Sequence, residues 1–452
     1  MFKTIANAWR VPEIRKKLLF TLFIIVIFRL GSAITVPFLD TSVVVSWMEE
    51  KASGGNFLEY LNILTGGALS QATIFSLGVT PMINASIIIQ LLTYALPPLE
   101  RLQQEGEEGR KTLNMITSFV ALGLSAFMAV AYYLTLKNIK GDAGATAVLY
   151  TDGGAGIFAM FVIILCFMAG ATLLIWMGNR INEHGIGQGI SMILFAGIAA
   201  RLPEEIGRLI GLVSNDPKAY FVLVLVYALI FVAMVVGIVA MNEAERRIPV
   251  QYAKRVIGRK QYGGQNTHLP IKVCMSGVMP IIFAMSFMSL PSTIAMFKEP
   301  VKVITDTTTT GQKIYYYFIN FFNTQTYTYA ALYFILIIAF NYFYVSMQYN
   351  PIEIANNLRQ SNGGIPGIRP GKPTSDYIAK VLNKLALVGA VFLGVVAIFP
   401  IIFLNITTAM QRPLNVSAMG GTSILIVVSV AIETVRTLES QLMMRHHKGF
   451  LD

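Results

Sequence analysis

The residues of this 452-residue chain that could do chemistry are four histidines, two cysteines and a few charges inside apolar stretches. A metal or general-base centre would have to draw on His184, His268, His446 and His447. All four fall in loops or the tail, where a solvated imidazole is the ordinary outcome. The adjacent tail pair is a faint metal motif at most, and no metal site is expected. Cys166 and Cys274 lie in apolar stretches without partners at ligand or redox spacing, so they read as small buried apolar residues. Gly371-Lys372 has the look of a phosphate loop, which needs a glycine five residues earlier and Ser or Thr after the lysine. Pro366 and Pro373 stand there instead. No cofactor, nucleotide or catalytic pair is expected, and ATP or GTP energy would have to come from a partner.

Charge within a membrane is the remaining chemistry. Ion-coupled transport draws on Asp, Glu or His at mid-membrane. The apolar stretches hold Arg29, Lys384, Glu433 and Arg436, and the last three lie near stretch ends. Arg29 is the one deep candidate, and snorkelling or pairing with a polar neighbour is its expected role. Coupling to protons or ions is disfavoured, and a passive conduit fits better.

The elements that must carry these residues are membrane helices. The chain is 55% hydrophobic and 13% charged, with mean hydropathy +0.61, too apolar for a soluble enzyme. Stretches of about 20 mostly apolar residues read as membrane spans. They are expected at 18–36, 76–96, 113–136, 157–178, 186–200, 219–241, 273–297, 329–349, 381–404 and 419–438. Lys3, Arg10, Arg15, Lys16 and Lys17 precede the first stretch, and no small-x-small cleavage pattern follows, so it is expected to be retained.

The net charge of +11 is distributed unevenly. Roughly two-thirds of the Lys and Arg residues fall on the side of the N-terminus, which predicts both termini in the cytoplasm. Two loops on that side are long. Residues 242–260 alternate polar and apolar from Arg247 to Tyr252 and then carry Lys254, Arg255, Arg259 and Lys260, the pattern of a β-hairpin with a basic tip. Gly363-Gly-Ile-Pro-Gly-Ile-Arg-Pro-Gly-Lys372 predicts a compact turn around Arg369. Positive-inside bias alone would explain ordinary basic loops; length and turn chemistry favour docking surfaces for a large partner. The basic tips suit ribosomal RNA phosphates and acidic protein equally.

Residues 57–77 break the membrane pattern. They are moderately apolar but contain Asn62, Gly66, Gly67, Ser70 and Gln71. Backbone of this kind at membrane depth is tolerated only inside protein or beside water, so a short re-entrant helix near the bundle centre is expected, with a surface helix on the outer leaflet as the alternative. The second stretch contains Pro81, Asn84, Ser86, Gln90 and Thr93, and the seventh Ser276, Gly277, Pro280, Ser286, Ser289 and Pro291. Broken, polar helices at matching positions of two five-span halves point to a functional site at the interface of inverted repeats. The expected fold is all-α and integral to the membrane, with ten spans in halves 1–201 and 202–452 around a central pore.

Several motifs carry a family resemblance. Gly66-Gly-Ala-Leu-Ser-Gln-Ala-Thr-Ile-Phe-Ser-Leu-Gly78 is followed by Pro81 and by Asn84-Ala-Ser-Ile-Ile-Ile-Gln-Leu-Leu92. Further along come Glu105-Gly-Glu-Glu-Gly-Arg110, Gly185-Ile-Gly-Gln-Gly-Ile-Ser191, Tyr252-Ala-Lys-Arg255, Thr267-His-Leu-Pro-Ile-Lys272, Pro366-Gly-Ile-Arg-Pro-Gly371 and Gly420-Gly-Thr-Ser-Ile-Leu-Ile-Val427. In order and over nearly the whole chain, these closely resemble the SecY family of protein-conducting channels. The resemblance implies a plug at about 57–75, including Gly66, Gly67, Ala68, Leu69 and Ser70. It implies a pore ring of Val79, Ile83, Ile190, Leu194, Ile282 and Ile426. It also implies a lateral gate between the second and seventh spans, carried by Pro81, Asn84, Ile87, Gln90, Pro280 and Met285. Docking of the SecA motor and the ribosome would fall to Lys254, Arg255, Arg259, Lys260 and Arg369, with SecE and SecG as small membrane subunits. Substrates would be signal sequences and unfolded polypeptides, with release into lipid, at the bacterial plasma membrane. The competing readings are an inverted-repeat secondary transporter of a small solute and an intramembrane enzyme. The first needs a mid-membrane ion or substrate site, the second a nucleophile–base or metal pair.

Overall fold

The computed structural model describes residues 8–52, 57–139, 146–150, 153–252, 255–257, 260–262, 266–297, 310–322, 326–410 and 420–448. The chain order begins α1 (Pro12–Gly31), α2 (Thr41–Ala52), α3 (Phe57–Leu64), α4 (Thr80–Ala95), α5 (Pro97–Gln104) and α6 (Glu107–Asn138). It continues with α7 (Gly153–His184), α8 (Gly189–Asn215), α9 (Pro217–Glu243) and strands β1 (Glu245–Tyr252), β2 (Arg255–Ile257), β3 (Lys260–Tyr262) and β4 (Asn266–Lys272). The last elements are α10 (Met279–Phe297), α11 (Thr310–Phe321), α12 (Tyr327–Gln348), α13 (Pro351–Gln360), β5 (Gly363–Gly364), α14 (Lys372–Ala409) and α15 (Gly421–Lys448).

Proline sets many of the starts. Pro12, Pro81, Pro97, Pro217, Pro351 and Pro373 all sit in the first turn of their helices, where a missing N–H costs nothing and the fixed φ favours entry. Asn350 adds a side-chain cap, accepting from the Ile352 N–H at 3.1 Å.

Among the described residues, six helices are long and apolar enough to cross a membrane, and the pair α4–α5, bent by 100°, makes a seventh. Helices also form at the expected first, fifth and seventh spans, and the first and fifth fall short of that standard. Glu13, Arg15, Lys16, Lys17 and Arg29 interrupt α1, and Arg201, Glu204, Glu205 and Arg208 crowd the far end of α8. α10, 19 residues from Met279 to Phe297, contains no Asp, Glu, Lys or Arg. Boundaries moved too. Residues 273–278, expected at the head of the seventh span, are irregular, and α8 runs on to Asn215 although its apolar stretch was expected to end at 200.

The basic loop is a hairpin, as its alternation implied. β1 pairs antiparallel with β4 from Glu245↔Lys272 to Gln251↔Asn266, and β2 pairs with β3 at the tip. The second loop joins it, because β5 adds to the other edge of β1 through Gln251↔Gly364 and Tyr252↔Gly363. The two loops therefore make one three-stranded sheet. Ile248, Val250 and Ile365 pack beneath it with Ile378 and Leu382 of α14.

Candidate functional site

A cavity of about 1020 Å³ opens on the side of the hairpin, with Lys17, Gly187, Lys272, Gly277, Glu433 and Arg436 among its walls. Polar contacts tie the walls together. Arg436 Nη2 donates to the Asn242 carbonyl at 2.9 Å, and Asn242 Nδ2 donates to Ser429 Oγ at 2.9 Å. Burial, helped by the neighbouring Arg436 charge, holds the Lys272 ammonium below the usual lysine range. Val278 belongs both to the cavity wall and to the central apolar core, so the cavity ends on that core.

The core brings together the side chains that the resemblance assigned to a ring. Val79 precedes α4 and Ile83 lies in its first turn; α8 supplies Ile190 and Leu194, α10 supplies Ile282 and α15 supplies Ile426. Five of them are buried in one cluster, and Ile190 packs half-buried against it. The i, i+4 spacing within Val79/Ile83 and within Ile190/Leu194 puts each pair on one helix face.

The polar segment packs into this cluster. Ile63 and Leu64 of α3, with Ala68 and Phe75, belong to the same core. Its polar groups find partners within the segment and on neighbouring helices, as burial requires. Asn62 Oδ1 accepts the Ser70 N–H at 2.9 Å, and Ser70 Oγ donates to the Gly67 carbonyl at 2.9 Å. Thr73 and Ser76 hydroxyls both donate to the Ala68 carbonyl, and Tyr132 of α6 donates to the Leu69 carbonyl at 2.7 Å. The turn through Gly66 and Gly67 has φ of +68° and +91°, which favours glycine. Gly66 also lies so close to α8 that a Cβ would sit 3.0 Å from the Gly197 Cα. Arg29 Nη1 donates to the Gly66 carbonyl at 3.0 Å. Sequence reasoning allowed Arg29 a polar partner but could not find it, because a backbone carbonyl leaves no trace in residue type.

Among the residues assigned to a gate, Pro81, Ile87 and Pro280 are buried, and Asn84, Gln90 and Met285 are half-buried. α10 packs beside α4, and also against α6. Asn84 Oδ1 and Gln90 Oε1 are buried without a hydrogen-bond partner among the described residues. Of the docking residues, Arg369 is exposed, and its carbonyl accepts from Thr374 Oγ1 at 2.9 Å. Arg255 opens β2 and Lys260 opens β3, while Lys254 and Arg259 lie outside the described residues. Among the described residues, no three His, Cys, Asp or Glu side chains group to hold a metal.

A family model described as SecY matches residues 73–435. The chain is similar to protein translocase subunits SecY of Mycobacterium tuberculosis and Bacillus licheniformis, 38% identical over 458 positions and 40% over 459, with all of each chain covered. Its fold is similar to a solved protein-conducting channel, with TM-score 0.61 at 17% identity over 96% of both chains. It is also similar to Sec61 from a canine ribosome–channel complex of the endoplasmic reticulum, with TM-score 0.58 at 16% identity over 96% of both chains. Fold and site together define a multi-pass helical membrane protein of the protein-conducting channel class. The chain belongs to the SecY family, whose members are channels and not enzymes.

Proposed function

We propose that the chain passes unfolded, signal-bearing polypeptides across the bacterial plasma membrane through a pore between its halves, 1–201 and 202–452. Ten spans with both termini cytoplasmic form the wall. Val79, Ile83, Ile190, Leu194, Ile282 and Ile426 are the constriction, where branched apolar side chains exclude water and fit around a passing chain. Residues 57–75 are the plug, and α4 with α10 form the gate that releases apolar segments into lipid. The observation that carries this reading is the stacking of three features. The funnel of about 1020 Å³ ends on the core containing the ring residues, and the 57–78 segment contributes Ile63, Leu64, Ala68 and Phe75 to that core.

The gate reading draws support from Asn84 and Gln90, whose buried oxygens have no hydrogen-bond partner among the described residues, which leaves α4 with polar groups that this packing does not satisfy. Arg369 is exposed beside the sheet that joins the two cytoplasmic loops, a charged surface suited to SecA or the ribosome. SecE and SecG complete the assembly. A similar fold was solved in a ribosome–channel complex.

Reconstitution tests the proposal. Vesicles containing the chain with SecE and SecG, supplied with SecA and ATP, should internalise an unfolded signal-bearing substrate. Ile83→Ser with Ile282→Ser should raise the resting ion leak of the same vesicles. Absence of substrate uptake would overturn the transport reading; uptake with an unchanged leak would remove the ring assignment alone.

A further inference from the structure

We propose that Arg29 is a positioning residue that holds the proposed plug shut. The inference rests on the plug reading of residues 57–75 and adds what keeps that segment seated.

The geometry is specific. α3 ends at Leu64, and the carbonyls of Leu61, Asn62 and Ile63 are taken by the N–H groups of Thr65, Gly67 and Gly66. The next corner carbonyl, that of Gly66, points to span one and receives the Arg29 guanidinium at 3.0 Å. A cation beside the C-terminal end of a helix also complements its dipole. A hydrogen bond from an ionised donor is roughly twice as strong as a neutral one. No other described hydrogen bond joins a charged side chain to this segment.

Arg29 can aim at that corner because the other end of the segment is fixed to the same part of α1. The Phe28 ring stacks on Phe75, with centroids 5.9 Å apart. Gly31 lies beneath the same ring, where a Cβ would come within 2.2 Å. Beyond the helix, the Ile74 N–H donates to the Ile34 carbonyl at 3.0 Å, and Thr35 bridges Thr73. The exit at 73–75 is therefore anchored to the end of α1, while the corner at 65–67 is held by Arg29 and by the glycine contact with Gly197. A segment that leaves the pore while its exit stays anchored must pivot about that exit and break the Arg29 bond. The contact with Gly197 is packing only. With the Tyr132 hydroxyl on the Leu69 carbonyl, the bond to Arg29 is one of two directional restraints reaching the segment from other helices among the described residues, and the one made by a charge.

The test uses the chain with SecE and SecG in potassium-loaded vesicles. Arg29→Met removes charge and donors at similar length and should raise the resting potassium leak about tenfold, the shift that follows from losing one hydrogen bond to a charged group. Arg29→Lys keeps the charge and a donor and should stay near the parent. Arg29→Gln, a gentler neutral change, should leak like Arg29→Met and serves if the methionine variant does not fold. A merely structural role would lower thermal stability without this charge-ordered series of leaks. In a chain with Cys166 and Cys274 replaced by serine, cysteines at Leu69 and Tyr132 are joined by a short thiol-reactive linker. That bridge should block transport and suppress the Arg29→Met leak. A leak unchanged in both neutral variants overturns the latch. If the bridge does not impair transport, the plug reading itself falls, so the two failures are distinguishable.

Discussion

Gly78-Val-Thr-Pro-Met-Ile83 at the head of α4 and Gly277-Val-Met-Pro-Ile-Ile282 at the head of α10 are one local device built twice. Gly78 and Gly277 have φ of +56° and +60°, a backbone that side chains resist. The Val79 carbonyl accepts from the Met82 and Ile83 N–H groups, and the Val278 carbonyl accepts from the Ile281 and Ile282 N–H groups in the same way. Each helix thus starts by the same turn, takes its proline in the first turn and delivers an isoleucine to the central core. What lies outside the turn differs. A Cβ on Gly78 would come within 2.7 Å of Thr65 Cγ2, inside the proposed plug, whereas a Cβ on Gly277 would meet nothing within 4 Å. Gly277 instead lines the cavity of about 1020 Å³. The same chain chemistry is backed by packed chain at α4 and faces the cavity at α10.

The restraints differ as well. The head of α4 is backed by the 57–78 segment. The head of α10 is tied sideways, where Ser276 Oγ donates to Asn341 Oδ1 and Asn341 Nδ2 donates to the Ala386 carbonyl at 2.8 Å. Asn341 is buried in α12, and Gly389 of α14 lets the Val273 carbonyl approach to 3.0 Å of where a Cβ would stand. One helix of the proposed gate leans on a segment proposed to move, and the other is bolted to α12 and α14.

The largest expected effect comes from attacking the backed turn at α4. Gly78→Ala combines the φ penalty with the Thr65 collision and should destabilise the chain by about 3 kcal/mol. Thermal unfolding in detergent measures this, and the same variant should raise resting ion leak by unseating the segment. Adding Thr65→Ser removes Cγ2 but keeps the hydroxyl that donates to the Asn62 carbonyl, and should recover about half of the loss. No recovery would mean that the collision is not what distinguishes the two turns.

The bolt at α10 comes next. Asn341→Ala strands the Ser276 hydroxyl in a buried site and removes the tie to the Ala386 carbonyl, which keeps its place in the α14 helix; this should cost about 2 kcal/mol. It should also speed cross-linking between cysteines placed on α10 and α4 during transport, since the head of α10 loses its tie. A variant as stable as the parent, with unchanged cross-linking, would show that the head of α10 is held by packing alone.

Much of this comparison was legible in the sequence, and its limits are physical. Long apolar blocks with Pro81 and Pro280 marked two unusual helices, although each proline begins its helix and does not break it. Composition could not show where they begin, because the residues before Thr80 and Met279 are as apolar as those after them; a positive-φ glycine made the difference. The polar interruptions at Asn62, Gly66, Gly67 and Ser70 identified a segment unfit for lipid, and their mutual hydrogen bonds explain why it can be buried. Ring members gave no signal of their own, since Ile83 in an apolar helix reads like any packing residue. The alternation from Arg247 to Tyr252 exposed the hairpin, but β5 at Gly363–Gly364 is too short to carry a pattern. Arg29 was visible as an isolated charge; its partner was not.

The smallest effect should fall on Gly277, and it is the sharpest check on the comparison. Gly277→Ala meets open space, so only the left-handed backbone opposes it, at about 1 kcal/mol. Gly277→Asn should cost less than alanine, because asparagine tolerates that region better. Neither variant should change resting ion leak, for a Cβ at 277 would meet nothing within 4 Å, the proposed plug included. Unfolding midpoints and leak rates for the alanine variants at 78 and 277, taken side by side, decide the matter. A Gly277→Ala chain that leaks like Gly78→Ala would mean that the seal depends on the helix-start turn itself. The segment packed against Gly78 would then not be what closes the pore.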